Sequence, residues 1–389
     1  LAHGSGNILV EALSSGATVT VTDNADIVTS TGHVTIEADS DVSFAANADV
    51  ITGANAIIWG GVGLPVTGDS DQTTSWVDLN ADGTIMVAGS PAESGGVGPG
   101  SAEVFVWDGY NWTQRGATLS GSSRDDRFGH AVAISDDGNY VAIGIPGSDD
   151  NGVSSGAVEV YSWNGTNWEQ VGDTIEGEVP SAALGSSLSL SANADVLAIG
   201  APGFAGVGRV VVYERVLNAT TGLFEWTLVG AALDGATSGD AFGQSVDVNA
   251  TGTRLVVGAP GAEDIDGDPV GRAYVYDWNA TSSVWTNAGI VEGSFSGDGL
   301  GYSVALNAAG NRLAIGVPGA SGFEGGVLVL EESGGNWALL GGLLSGTGVD
   351  SFGWSVDLDA EGTTLAVGAP TVVVGGNAFA GEATVYRFG

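Results

Sequence analysis

One phrase returns along this chain at near-constant spacing, and it restricts the fold more than any single residue does. It reads FGQSVDVNATGTRLVVGAP from Phe242 to Pro260 and FGHAVAISDDGNYVAIGIP from Phe128. It returns as LGSSLSLSANADVLAIGAP from Leu184, LGYSVALNAAGNRLAIGVP from Leu300 and FGWSVDLDAEGTTLAVGAP from Phe352. A worn copy, SWVDLNADGTIMVAGSP, runs from Ser75 to Pro91. The period of roughly 52–58 residues marks a repeat architecture.

Each repeat reads as four strands. The first is the alternating run after Phe-Gly, such as Ser245–Asn249. A tight turn follows, as in Asn80–Gly83, Ser135–Gly138, Asn249–Gly252, Asn307–Gly310 and Asp359–Gly362. Asn, Ser or Asp opens the turn by bonding to backbone, and Gly takes its left-handed position. The third repeat has Ala194 at that position, which predicts a strained or altered turn. The second strand is almost wholly apolar, as a strand buried on both faces must be, and Gly-x-Pro ends it. After a loop of variable length come a third strand and a fourth that begins at Trp: Trp112, Trp168, Trp226, Trp285 or Trp337. Four residues after each Trp stands a Gly: Gly116, Gly172, Gly230, Gly289, Gly341.

A four-stranded antiparallel unit cannot bury its own faces, but six arranged radially can. The expected fold is therefore all-β, a six-bladed β-propeller over residues 57–389, with seven blades as the alternative. The last repeat supplies three strands and no Trp strand. Trp59–Gly68 carries the Trp and the Gly four residues on, without strands of its own before it. It is expected to pair with residues 382–388 and close the ring. Residues 1–56 differ: Val19–Asp26 is echoed by Val42–Asp49, which suggests rungs of a parallel β-helix, with a loose β-rich linker as the alternative.

Composition excludes some functions. The formal charge is −37, carried by 46 acidic residues against nine Arg. Such a surface repels nucleic acid and anionic membranes and attracts cations. No Cys is present, so disulfide and thiolate chemistry are absent, and no apolar run of about 18 residues predicts a membrane span.

The recurring Phe-Gly and Gly-Ala-Pro phrases resemble the FG-GAP repeats that build the propeller of integrin α chains, with bacterial and algal surface proteins the closest in pattern. The resemblance covers about residues 57–389. It implies a non-catalytic binding or adhesion module, extracellular or at the cell surface, inside a larger chain. Integrin propellers have seven blades and calcium loops between first and second strands. Short turns stand there in this chain, so those ligands are not carried over.

Strand alternation sends the second-to-third loops and the blade connections to one end of the propeller. Acid and length variation gather there. The candidate cation ligands are Glu263, Asp264, Asp266 and Asp268, with Asp149 and Asp150 second. Alternate carboxylates at 264, 266 and 268 suit Ca2+, although Gly267 falls too early for an EF-hand. Asp126, Asp240, Asp298 and Asp350 each precede Phe or Leu by two residues and read as turn formers. A protein or glycan ligand at this loop end is the favoured reading, on a monomeric propeller that neither enters a membrane nor holds a cofactor other than a cation. The alternatives are a structural spacer and a propeller hydrolase or lyase. His3, His33 and His130 do not cluster, no catalytic residue stands out, and His130 falls at a variable position beside the axis. Asn-x-Thr triplets occur at Asn111, Asn164, Asn218, Asn249 and Asn279, in or beside turns.

Overall fold

The computed structural model describes residues 76–91, 98–320, 324–346, 348, 350–372 and 381–388, together with six short strands among the first 52 residues. The expected closing segment Trp59–Gly68 lies outside the described residues. The chain forms two compact units: residues 1–66 with 107–112, and residues 67–106 with 113–389.

In the first unit, strands pair in parallel: Ile8–Ala12 with Val34–Ala38, Val19–Val21 with Val42–Phe44, and Ile27–Thr29 with Val50–Thr52. Val19 faces Val42, which is the register that the echoed sequence gives.

The second unit is all-β, with six antiparallel blades in a propeller arrangement. Blade 1 is built from Trp76–Leu79, Ile85–Ser90, Ser101–Trp107 and Trp112–Gln114, and blade 2 from Val132–Ile134, Tyr140–Ile145, Ala157–Trp163 and Trp168–Gln170. Blade 3 holds Ser187–Leu190, Val196–Ala201, Arg209–Leu217 and Phe224–Leu228, and blade 4 holds Ser245–Val248, Arg254–Ala259, Arg272–Asn279 and Val284–Glu292. Blade 5 is Val304–Leu306, Arg312–Val317, Gly326–Ser333 and Asn336–Leu339; blade 6 is Ser355–Leu358, Thr364–Ala369 and Glu382–Arg387.

The recurring phrase is the joint between blades. Gly129, Gly185, Gly243, Gly301 and Gly353, each following the Phe or Leu, all sit at φ between 86° and 88°, where a side chain is strained. Their carbonyls lie against the Gly one residue before the end of the preceding blade's second strand: Gly89 meets Gly129, Gly144 meets Gly185, Gly200 meets Gly243, Gly258 meets Gly301 and Gly316 meets Gly353. The Phe or Leu beside each is buried among the core clusters, as are the apolar second strands.

The short turns behave as their residues require. The side chain at each turn's start accepts a backbone N–H from the second strand: Ile85 to Asn80 Oδ1, Tyr140 to Ser135 Oγ, Val196 to Ser191 Oγ, Arg254 to Asn249 Oδ1, Arg312 to Asn307 Oδ1, Thr364 to Asp359 Oδ1. Backbone bonds then chain one turn to the next, from Ala81 to Asp136, Asp136 to Ala192, Ala192 to Ala250, Ala250 to Ala308 and Ala308 to Ala360. Ala194 keeps the same turn at φ 54°, so it is strained and not differently shaped.

The fourth strands depart from the sequence reading. In blades 1, 2, 3 and 5 they break at a left-handed Gly and resume as a two-residue piece: Leu119–Ser120, Ile175–Glu176, Leu233–Asp234 and Leu344–Ser345. In blade 4 the strand runs through with a bulge at Ala288. The Trp–Gly spacing has a packing cause. A Cβ on Gly116, Gly172, Gly230 or Gly289 would meet the indole of Trp168, Trp226, Trp285 or Trp337 on the following blade. Three of those indoles donate to the neighbouring blade, Trp168 to the Arg115 carbonyl at 2.8 Å, Trp226 to Val171 at 3.0 Å and Trp285 to Val229 at 3.3 Å.

Blades 1 and 6 each show a face that the other blades cover. Val77 and Leu79 are 61 % and 50 % exposed, whereas Val246, Val248, Val304 and Leu306 at the same positions are buried. Val385 is 43 % exposed, whereas Val160, Val212, Val275 and Val329 are buried.

Candidate functional site

Five isolated parallel bridges define the loop end: Gly100 to Phe128, Gly156 to Leu184, Gly208 to Phe242, Gly271 to Leu300 and Gly325 to Phe352. Each ties the end of a second-to-third loop to the residue that opens the next blade. The variable loops and the blade connections therefore share one end, while the short turns link to one another at the opposite end.

The loop at residues 263–269 is a compact turn. Glu263 bridges Pro269, and Asp264 donates its N–H to the Asp268 carbonyl at 2.8 Å. Asp264 Oδ1 accepts the N–H groups of Asp266 and Asp268, each at 2.9 Å. This Asx turn spends one carboxylate oxygen on the loop's own backbone. Glu263, Asp266 and Asp268 are exposed, and Ile265 between them is 98 % exposed. In blade 2, two blades away, Asp149 Oδ1 accepts the Ser154 N–H at 2.7 Å, and Asp150 Oδ2 accepts the Ser148 hydroxyl at 3.1 Å. Among the described residues, no three carboxylates or histidines converge as a ready-made metal cage.

The Asp residues that precede Phe or Leu form turns. Asp240 Oδ2 accepts Ala236 and Thr237 N–H, Asp298 Oδ2 accepts Ser294 and Phe295 N–H, and Asp126 Oδ2 accepts Ser123 N–H. Asp240 and Asp298 are buried.

Sequence reasoning missed a second group of acids. Asp78, Asp247 and Asp357 occupy one equivalent position on the innermost strands of blades 1, 4 and 6, with Ser189 in blade 3 and Ala133 and Ala305 in blades 2 and 5. Aligning the repeats at their Phe-Gly would have exposed them. Innermost strands are sheet edges, whose free N–H groups need partners. Asp78 Oδ2 accepts the Ile134 N–H of blade 2 at 2.8 Å, and Asp247 Oδ2 accepts the Leu306 N–H of blade 5 at 2.7 Å. Ser189 accepts the Val248 N–H at 3.0 Å and donates to Asp247 Oδ1 at 2.6 Å. Burial pushes Asp78 and Asp247 up to about 7, against the N–H bonds that lower them, and the Asp357 charge adds to the rise in both. Desolvation by the surrounding strands also raises Asp357, although its surface remains open to solvent. His130 packs its ring at a tilt against Trp76, centroids 5.2 Å apart, and its counterpart Tyr302 packs likewise against Trp354 at 4.4 Å.

Residues 112–161 and 230–276 match the family model described as FG-GAP repeat. No curated protein matches the chain. Each matched segment runs from one blade's outer strand into the third strand of the next, across the Phe-Gly/Gly-Ala-Pro joint described above. The chain therefore carries FG-GAP repeats on a six-bladed propeller, consistent with the propeller of integrin α chains.

Proposed function

We propose that this chain is a non-catalytic binding module of a larger secreted or surface protein, and that it takes a protein or glycan ligand at the acidic loop end. FG-GAP repeats are typical of extracellular and surface proteins, and their propellers are typically non-catalytic. The observation that carries the reading is the contrast between the two ends. At one, the turns between first and second strands are all spent on side-chain caps and turn-to-turn bonds. At the other, the Gly-to-Phe/Leu bridges and the Asp turns fix the bases of the loops, and the loop tips are free to vary. Exposed acid around Ile265 suits a basic or cation-bridged partner.

The test joins a ligand screen with calorimetry. Glu263→Gln, Asp264→Asn, Asp266→Asn and Asp268→Asn together keep the Asx turn, because an amide oxygen still accepts its two N–H groups. A glycan array and a panel of matrix proteins, probed with the intact chain and this variant, should show binding that the variant loses. Titration with about millimolar calcium should show heat that the variant abolishes. Unchanged binding by the variant would overturn the ligand face. No calcium heat from the intact chain would remove the cation and leave a solvated acidic loop.

A further inference from the structure

The five Asn-x-Thr triplets do not share one environment. Asn249 is 6 % exposed and holds a short turn, its Oδ1 accepting Thr253 and Arg254 N–H and its amide donating to Thr251 Oγ1. Asn164, Asn218 and Asn279 sit at one equivalent place, the hairpin between third and fourth strands of blades 2, 3 and 4. All three form the same Asx turn. Asn164 Oδ1 accepts Thr166 and Asn167 N–H, Asn218 Oδ1 accepts Thr220 and Thr221 N–H, and Asn279 Oδ1 accepts Thr281 and Ser282 N–H. The Thr of each triplet is exposed, and the middle residue is Gly165, Ala219 or Ala280, also exposed.

We infer that Asn164, Asn218 and Asn279 are acceptor sites for an N-linked glycan, arrayed on the outer hairpins of three consecutive blades. The triplet is the acceptor pattern of that modification, and a surface loop is the context it requires. In each turn the amide oxygen is engaged by the loop backbone, and the amide nitrogen takes no part in the turn. The nitrogens of Asn164 and Asn218 donate to Glu169 and Glu225, in exposed bonds that cost little to break. The donor is a polyprenyl-diphosphate oligosaccharide. A bond forms between Nδ2 and the sugar's C1, the C1–O bond to phosphate breaks, the lipid diphosphate leaves, and one Nδ2 proton passes to a base of the transferase. The inference rests on the reading that the chain is exported. It sets the glycans on the outer hairpins and keeps them off the loop end proposed to bind ligand. Asn111 lacks this turn and is not part of the proposal: Thr113 in its triplet is already in a strand and donates to the Val106 carbonyl.

The test incubates the folded full chain with an oligosaccharyltransferase and a polyprenyl-diphosphate oligosaccharide, then maps peptides by mass. Glycan mass is expected at Asn164, Asn218 and Asn279 and not at Asn249. Thr166→Ala, Thr220→Ala and Thr281→Ala should each remove one glycan. Three unmodified hairpins, beside a control peptide with the same triplet that is modified, would overturn the inference, as would glycan on Asn249 in folded chain. This assay does not depend on export, which is read separately by whether the chain appears outside the cells that make it.

Discussion

A Cβ placed on Gly200 would stand 2.1 Å from the carbonyl oxygen of Gly243, the glycine that opens the next blade. The clash is with backbone, and the Ser187 hydroxyl crowds the same space at 2.2 Å, so relief requires moving a strand. Gly200→Ala should therefore destabilise the propeller by about 3 kcal/mol, at the upper end of overpacking costs. Gly342→Ala, on an exposed turn with no neighbouring atoms close, should be nearly neutral. Urea unfolding of the two variants makes the comparison, and equal midpoints would show that the joint is not tight.

The indole of Trp168 is buried and donates to the Arg115 carbonyl of the neighbouring blade. Trp168→Phe keeps most of the apolar contact and strands that carbonyl. It should cost about 1–3 kcal/mol in thermal or urea unfolding, the usual penalty for an unpaired buried polar group. Trp168→Ala also opens a cavity and should cost about 3–5 kcal/mol.

Asp78 and Asp247 give the fold a pH dependence with a definite sign. Their folded values near 7 lie above the ordinary 3.8 that they regain on unfolding. Between those values the folded protein holds protons that the unfolded chain has released, so these two groups make stability fall as pH rises from about 4 to about 7. Asp78→Asn with Asp247→Asn keeps an oxygen for the Ile134 and Leu306 N–H groups and removes both titrations. Urea midpoints at about pH 5 and about pH 8 should differ for the parent, and the variant should lose a clear part of that difference.

The net charge of −37 opposes a compact state at low ionic strength. Added NaCl shortens the Debye length to about 8–10 Å near physiological strength and relieves the repulsion. Melting temperature should climb with salt and then level off. A flat or falling curve would mean that Arg–carboxylate pairs, such as Arg254 with Asp277 and Arg312 with Glu331, carry more of the balance than the bulk charge.

Among the described residues blade 6 has three strands where each of the other blades has a fourth. We propose that Trp59–Gly68 supplies the fourth strand of blade 6. Deleting residues 1–68 should then lower the melting temperature and promote aggregation through a bare sheet edge, and deleting residues 1–50 should do much less. Equal melting of the two truncations would sink the closure.

Much of this fold was legible in the chain because its repeats repeat a physical requirement. A positive φ admits Gly129 and its four counterparts and little else, a strand buried on both faces must be apolar, and a short turn needs Asn, Ser or Asp to cap it. Those demands are local, so they are written in local sequence, and six copies make the pattern readable. The loop end was legible for the same reason in reverse, as the place where the pattern lapses. What the Phe-Gly and the Trp–Gly spacings serve was decided only in three dimensions, where a glycine makes room for an atom of a neighbouring blade roughly forty to fifty residues away. The break in the fourth strands and the Asp78, Asp247 and Asp357 positions were hidden likewise. An Asp between Val246 and Val248 reads as ordinary strand alternation until the ring turns that strand edge toward the axis. There its N–H groups have no further strand to pair with, and a carboxylate becomes the partner.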